Sequence, residues 1–121
     1  FVNPALGKPG RVPYGDAAVG WSYVDDPARA TVMASKVPSP KTRSYSIMGD
    51  VYSVREAADY VAKLLPSADI TILPGSFGGD PVKFDTGPIE EEIGYRPQWS
   101  MERGFMETIN NLRRENGLSP V

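Results

Sequence analysis

Two segments carry hydrophobic side chains at helical spacing. In the first, Val54, Ala57, Ala58, Val61, Leu64 and Leu65 share one face, and Arg55, Asp59 and Lys63 share the other. Ser53 and Glu56 stand just before this stripe as Ser-x-x-Glu, a pair whose side chains can each satisfy an amide at a helix start. Pro66 cannot continue the hydrogen-bonded ladder, so the pattern predicts a helix over 53–65. In the second segment Met101, Phe105, Ile109 and Leu112 repeat as one buried face. Ser100 is its cap, and Gly117 and Pro120 mark its end.

Strand character appears between the helical stretches. Trp21 to Val24 is aromatic and β-branched, and it leads into Asp26-Pro27-Ala28. Asp26 is a suitable N-cap and Pro27 a suitable first helical residue, which predicts a helix from Pro27 to about Lys36 or Val37, stopped by Pro38 and Pro40. Tyr45 to Met48 reads as a strand with Gly49-Asp50 as its turn, and Asp69 to Leu73 as another. With the 53–65 helix between them, these two strands are expected to pair in parallel through a right-handed crossover. Residues 1–18 are rich in glycine and proline and read as loop, with at most a short strand near Val12. Lys83 to Asp85 is expected to pair briefly as an edge strand. Asp85 or Thr86 is expected to cap a short helix through Ile93, with Gly94 closing it. The fold class is α/β: one domain over 1–121, a small mixed sheet with a parallel β-α-β pair and about four helices.

Composition narrows the chemistry. The chain has 121 residues, enough for one small core, and a net charge of −2 with both signs interspersed. No basic patch argues for nucleic acid or an acidic membrane, and no apolar run is long enough to span a bilayer. No signal peptide is visible in the chain, so a cytoplasmic setting is expected. Without cysteine there are no disulfides or thiolate metal sites, and without histidine the commonest general base and metal ligand are gone. Asp25-Asp26 and Glu90-Glu91-Glu92 are acidic runs. The first reads as a cap and the second as a solvated helix start rather than as metal ligands. Replacing Asp26 is then expected to cost about 1 kcal/mol. Lys8-Pro9-Gly10-Arg11 lacks the context of a phosphate loop. Gly75-Ser76-Phe77-Gly78-Gly79 reads as a loop more readily than as an anion nest.

Several passages, taken in order, resemble the NAD-dependent epimerase/dehydratase family of extended short-chain dehydrogenases. They are Arg11-Val12-Pro13-Tyr14-Gly15-Asp16; Tyr23-Val24-Asp25-Asp26-x-Ala28-Arg29-Ala30; Ser44 to Gly49 with Ser53-Val54-Arg55-Glu56; and Phe84-Asp85 followed by Glu91-Glu92-Ile93-Gly94-Tyr95-Arg96-Pro97. The resemblance spans roughly residues 11–115 and implies the substrate-binding domain of a Rossmann-type protein. It implies NAD or NADP in the parent protein, held by a nucleotide-binding domain that this chain lacks, so that the chain is a C-terminal fragment. The partners implied are a small-molecule substrate and that domain.

In that family the substrate lies between the two halves, so the loops around 11–21 and 74–81 would face it. The resemblance thereby makes Arg11, Tyr14, Trp21 and Phe77 the candidate substrate-binding residues, with Arg11 as the anion contact. No catalytic, cofactor-binding or metal residue can be carried over. There is no Gly-x-x-Gly-x-x-Gly turn, and Tyr60-Val61-Ala62-Lys63 does not match the family's Tyr-x-x-x-Lys spacing. Members that act on nucleotide-diphosphate sugars usually carry Arg-Asp where Val19-Gly20 stands here, and a later arginine where Pro74 to Phe77 stands. The expectation is therefore a hydroxyl or carbonyl small molecule other than a nucleotide-diphosphate sugar. The alternative is a non-catalytic relative that senses a dinucleotide or binds a protein.

Overall fold

Nine short elements follow the chain: α1 (Val2–Ala5), β1 (Gly10–Val12), β2 (Ala18–Trp21), α2 (Asp25–Ala34), β3 (Asp50–Ser53), α3 (Val54–Leu64), β4 (Ile70–Ile72), α4 (Gly87–Ile93) and α5 (Met101–Glu115). The structure is a computed structural model that describes residues 1–77 and 84–121. Lys83 of the expected edge strand and Gly78-Gly79 of the expected loop lie outside the described residues, while Phe84 and Asp85 are not in a strand.

The fold is mixed α/β with a parallel strand pair, but the strands differ from those the pattern predicts. β1 pairs in parallel with β4, Gly10 opposite Ile70 and Val12 opposite Ile72. β2 pairs antiparallel with β3, Ala18 opposite Ser53 and Trp21 opposite Asp50. The strand before α3 is therefore not the parallel neighbour of the strand after it. Strand and turn are also exchanged near position 50. Residues 45–48 are irregular, and Asp50 to Ser53 forms the ladder. Register explains this exchange. β2 begins at Ala18, earlier than Trp21–Val24, and its partner shifts with it. At Gly49 the chain presses so close to Trp21 that a Cβ would sit 2.0 Å from the Trp21 carbonyl oxygen, leaving room only for glycine.

The helices are closer to expectation. α3 has the full capping box: Ser53 Oγ accepts from the Glu56 amide at 3.1 Å, and the Glu56 carboxylate accepts from the Ser53 amide at 2.7 Å. α5 is capped by Ser100 Oγ, which accepts from the Arg103 amide. A second acceptor comes from the neighbouring sheet, where Asp50 Oδ2 takes the Met101 amide at 2.7 Å. α4 ends at Gly94, whose φ of 72° suits glycine. α1 was expected as loop because of Asn3-Pro4. A proline in the first turn breaks no helical bond, since that amide has no partner anyway.

Two apolar clusters organise the packing. In one, Ala57, Val61 and Leu65 of the α3 segment meet Met101, Phe105 and Ile109 of α5, with Ala5 of α1 closing the end. In the other, Ala30 of α2, Ile89 of α4 and Tyr95 are buried together, and Tyr45 and Ile47 pack on them. Tyr45 and Ile47 are thus apolar because they cover a helix pair, not because they form a strand.

Asp26 joins the clusters. It is not the N-cap of α2, which starts at Asp25 and has no side-chain cap bond. Its carboxylate is 1% exposed and accepts from the amides of Gln98 and Trp99, at 3.0 and 3.1 Å, and from Arg29 at 3.1 Å. A local cap was expected because the acceptors and donors near in sequence are all that a sequence displays. The actual donors lie more than seventy positions away.

Asp26→Ala removes a buried acceptor and strands two amides and a guanidinium, so it is expected to cost about 3–5 kcal/mol. The check is urea unfolding, read as a lowered midpoint at unchanged slope. A loss near the capping value of about 1 kcal/mol would show that these amides are solvated without it.

Candidate functional site

A groove of about 200 Å³ opens on the β2–β3 ribbon. β2 contributes Ala18, Val19 and Gly20, β3 contributes Val51, and Met48, Phe77 and Phe84 complete it. Gly20 shapes the floor. A Cβ there would fall 2.8 Å from Met48 Cγ and 3.0 Å from its sulfur, so the Met48 side chain occupies the space a side chain at 20 would need. Phe77 and Phe84 are more than half exposed, and no charged residue lines the groove among the described residues.

The rim of the groove is stitched together by Asp16. Its Oδ2 accepts from the Gly75 amide at 2.9 Å and its Oδ1 from Arg55 at 3.2 Å, while the Asp16 amide donates to the Gly75 carbonyl. The Gly75 amide, then Arg55, hold the Asp16 carboxyl below its ordinary pKa. The two loops expected to face a substrate are therefore one body up to Phe77. Tyr14 sits at their junction with a φ of 59°, a left-handed backbone that a bulky residue rarely adopts. Its ring meets Phe77 edge-on at 5.5 Å.

The four sequence-predicted residues do not form one site. Tyr14 and Phe77 are in contact, and Phe77 lines the groove. Trp21 lies in a separate aromatic nest, edge-on to Phe105 at 5.0 Å and donating from Nε1 to the Tyr52 carbonyl. Arg11 is exposed on β1 opposite Thr71 and makes no ion pair among the described residues. Met48, Val51 and Phe84 were not singled out from the sequence. Only a correct register for β2 and β3 brings them to one place.

A smaller cavity of about 130 Å³ lies on the other side of Met48, lined by Ser46, Thr86, Glu90 and Tyr95 among others. The buried Tyr95 hydroxyl has no hydrogen-bond partner among the described residues. Burial, then the nearby Asp26 charge, raise its pKa. The acidic run 90–92 is divided in its duties. Glu90 pairs with Arg96, whereas Glu92 is a latch rather than a solvated charge. Glu92 accepts from the Thr42 hydroxyl, the Lys41 and Thr42 amides and the Tyr45 hydroxyl, tying the 41–45 link to α4.

Among the described residues, the helix starts do not fit the diphosphate of a dinucleotide. A diphosphate needs free amides at a helix start. Those of α3 are taken by its capping box, and those of α5 by Ser100 and Asp50. α2 opens on Asp25 and Asp26, which repel an anion, and the Gly87 amide at the start of α4 is taken by Asp85. Among the described residues no three acidic side chains gather as a metal site, and no helix is long and apolar enough to cross a membrane.

No family model matches the sequence, and no curated protein does either. Solved structures do. The chain superposes on a GalE-like L-threonine dehydrogenase from Cupriavidus necator with a TM-score of 0.77 and 21% identity, covering 90% of this chain and 42% of that one. A UDP-glucuronic acid 4-epimerase from Bacillus cereus, solved with UDP-glucuronic acid and NAD, gives 0.77 and 20%, covering 94% and 39%. An L-threonine dehydrogenase from Phytophthora infestans gives 0.76 and 16%, covering 94% and 40%. The fold is thus that of part of these larger chains, about two fifths of their length.

The Glu92 latch makes a pH prediction. Its hydrogen bonds, led by the Thr42 hydroxyl, hold its pKa below the ordinary value. A carboxyl depressed in the folded state adds stability above its unfolded pKa and loses it as pH falls through the folded one. Thermal unfolding midpoints should therefore drop on acidification below about pH 4.3, and Glu92→Gln should lower the midpoint at neutral pH while flattening that acid limb. An acid limb identical in both proteins would remove Glu92 from the account.

Proposed function

We propose that this chain is the substrate-binding part of a longer NAD(P)-dependent protein of the epimerase/dehydratase type, acting on a small hydroxyl or carbonyl compound. The observation that carries the reading is the fold, shared over 90% of this chain with 42% of a GalE-like L-threonine dehydrogenase. The occupied helix starts support assigning the dinucleotide to the remainder of such a protein. Its own nucleotide-holding domain is then the chain's first partner. In this arrangement the β2–β3 groove and the Tyr14–Phe77 rim face the reacting centre, and this chain selects which molecule is presented there.

The reading excludes nucleotide-diphosphate sugars. One similar structure holds UDP-glucuronic acid, so shared fold alone does not argue the exclusion. The groove chemistry does: Val19 and Gly20 offer no guanidinium, and bidentate arginine is the strong, oriented way to hold a diphosphate.

The isolated chain, titrated with NAD and NADP, is expected to show no saturable binding at concentrations up to about 1 mM, the upper range of ordinary Michaelis constants. The longer protein is expected to reduce NAD or NADP with a small alcohol, and UDP-glucuronic acid is expected neither to react nor to inhibit. Tight dinucleotide binding by the chain alone, or turnover of UDP-glucuronic acid, overturns the reading.

A further inference from the structure

The groove on the β2–β3 ribbon has a positive chemistry as well as a missing one. Its floor is a thioether, Val51 stands on the same face of the ribbon as Gly20, and the exposed rings of Phe77 and Phe84 complete the lining. Among the described residues, several donors close in sequence to its lining or its rim are already engaged. The Gly49 amide, next to Met48, donates to Ser22 Oγ at 3.0 Å. The Gly75 amide, two residues before Phe77, donates to Asp16, and Arg55 is neutralised by the same carboxylate. An anion entering here would lose its hydration and meet no free donor among the described residues, a cost that apolar walls cannot offset.

Size limits the occupant too. An apolar cavity of about 150 Å³ holds benzene. At about 200 Å³ this groove takes one six-membered ring with a small substituent. Aromatic rings bind well against thioether sulfur and against the edges of other rings, and methionine can readjust to follow the outline of a ligand.

We propose that this groove binds the uncharged ring of a small cyclic or aromatic alcohol or ketone, and that Met48, seated in the space left by Gly20, is the residue that sets this specificity. The proposal rests on the reading that this chain selects the substrate, and it names the class selected. Gly20 and Met48 act as a pair: glycine at 20 admits the thioether, and the thioether replaces what would be polar side-chain volume with a soft apolar floor. Any larger residue at 20 evicts Met48 from its seat.

The test uses the ¹⁵N-labelled chain alone, with benzyl alcohol, cyclohexanone and UDP-glucuronic acid as probes. Benzyl alcohol and cyclohexanone should give saturable amide shifts at Ala18 to Gly20, Met48 and Val51, with dissociation constants near 1 mM for ligands of this size. UDP-glucuronic acid should shift none of these amides. Met48→Lys should keep a dispersed spectrum and weaken benzyl alcohol at least about tenfold, since it puts a charge where the ring lies. Should that variant unfold, Phe77→Ser serves instead, because Phe77 is 58% exposed and its loss leaves the core intact. It should weaken the same probe about threefold to tenfold by removing one ring contact.

Absence of shifts with both uncharged rings, shifts confined to other amides, an unchanged affinity in the variant, or UDP-glucuronic acid acting on the same amides overturns the proposal. No dinucleotide enters this experiment. A groove that binds rings in a protein without NAD(P) chemistry would remove the broader reading and leave this one, and the reverse result would do the opposite.

Discussion

A single buried carboxylate sets the relation between the two halves of this small domain. Asp26 sits in the first turn of α2 and reaches the start of the segment that becomes α5, where it takes two consecutive backbone amides. Burying an ionised carboxylate is costly unless its oxygens are fully engaged, and here they are, by two amides and the Arg29 guanidinium. Arg29 in turn lies over the Tyr95 ring at 4.9 Å, so the charge pair is clamped between the helix and the second apolar cluster. Displacing any of these groups exposes the others, which makes the joint cooperative. Asp50 repeats the device from β3, taking the first amide of α5. Two carboxylates from different elements therefore fix where α5 begins, and α5 carries much of the main core on Phe105 and Ile109.

The groove follows from that placement. With α5 held and α3 packed on it, the capping box at Ser53 anchors the end of β3, and β3 sets the register of β2. Gly20 then falls over Met48, and Val51, opposite Gly20 in the ladder, bounds the same space. Asp16 fixes the other side by tying the Gly15–Asp16 turn to Gly75. The site is thus built on paired strands and a hydrogen-bonded turn rather than on a free loop. The one left-handed non-glycine among the described residues, Tyr14, lies where those two supports meet.

What the sequence disclosed divides by range of interaction. α3 and α5 were legible because their apolar stripes, their caps and their stops are written within a dozen residues of one another. The α/β class and the presence of a parallel pair were legible from the order of elements, but the identity of the pair was not. β1 and β4 are three and three residues long, too short to carry a pattern, and each is chosen by a partner about sixty positions away. The pairing of β2 with β3 was not legible for the same reason, and neither was the groove it forms. Tyr14 and Phe77 were named because the family resemblance would turn their loops toward a substrate. Met48 was not, because its role depends on an absent side chain at Gly20 across the ribbon. Asp26 was seen but given a local job, since nothing in a linear sequence announces amides seventy positions on.

That same distinction bears on how the domain can select a molecule. A charged substrate is held by a few directed bonds, and such bonds need donors that are free before it arrives. Among the described residues, several donors near the groove are spent on holding the fold: Gly75 and Arg55 on Asp16, Gly49 on Ser22, and the starts of α3 and α5 on their own caps. Releasing them to bind a phosphate would loosen the turn or the ribbon that forms the groove. An uncharged ring makes no such demand, since it gains from contact area with Met48, Val51 and the phenylalanines and leaves every structural bond in place. An apolar ligand therefore costs the described fold none of these bonds.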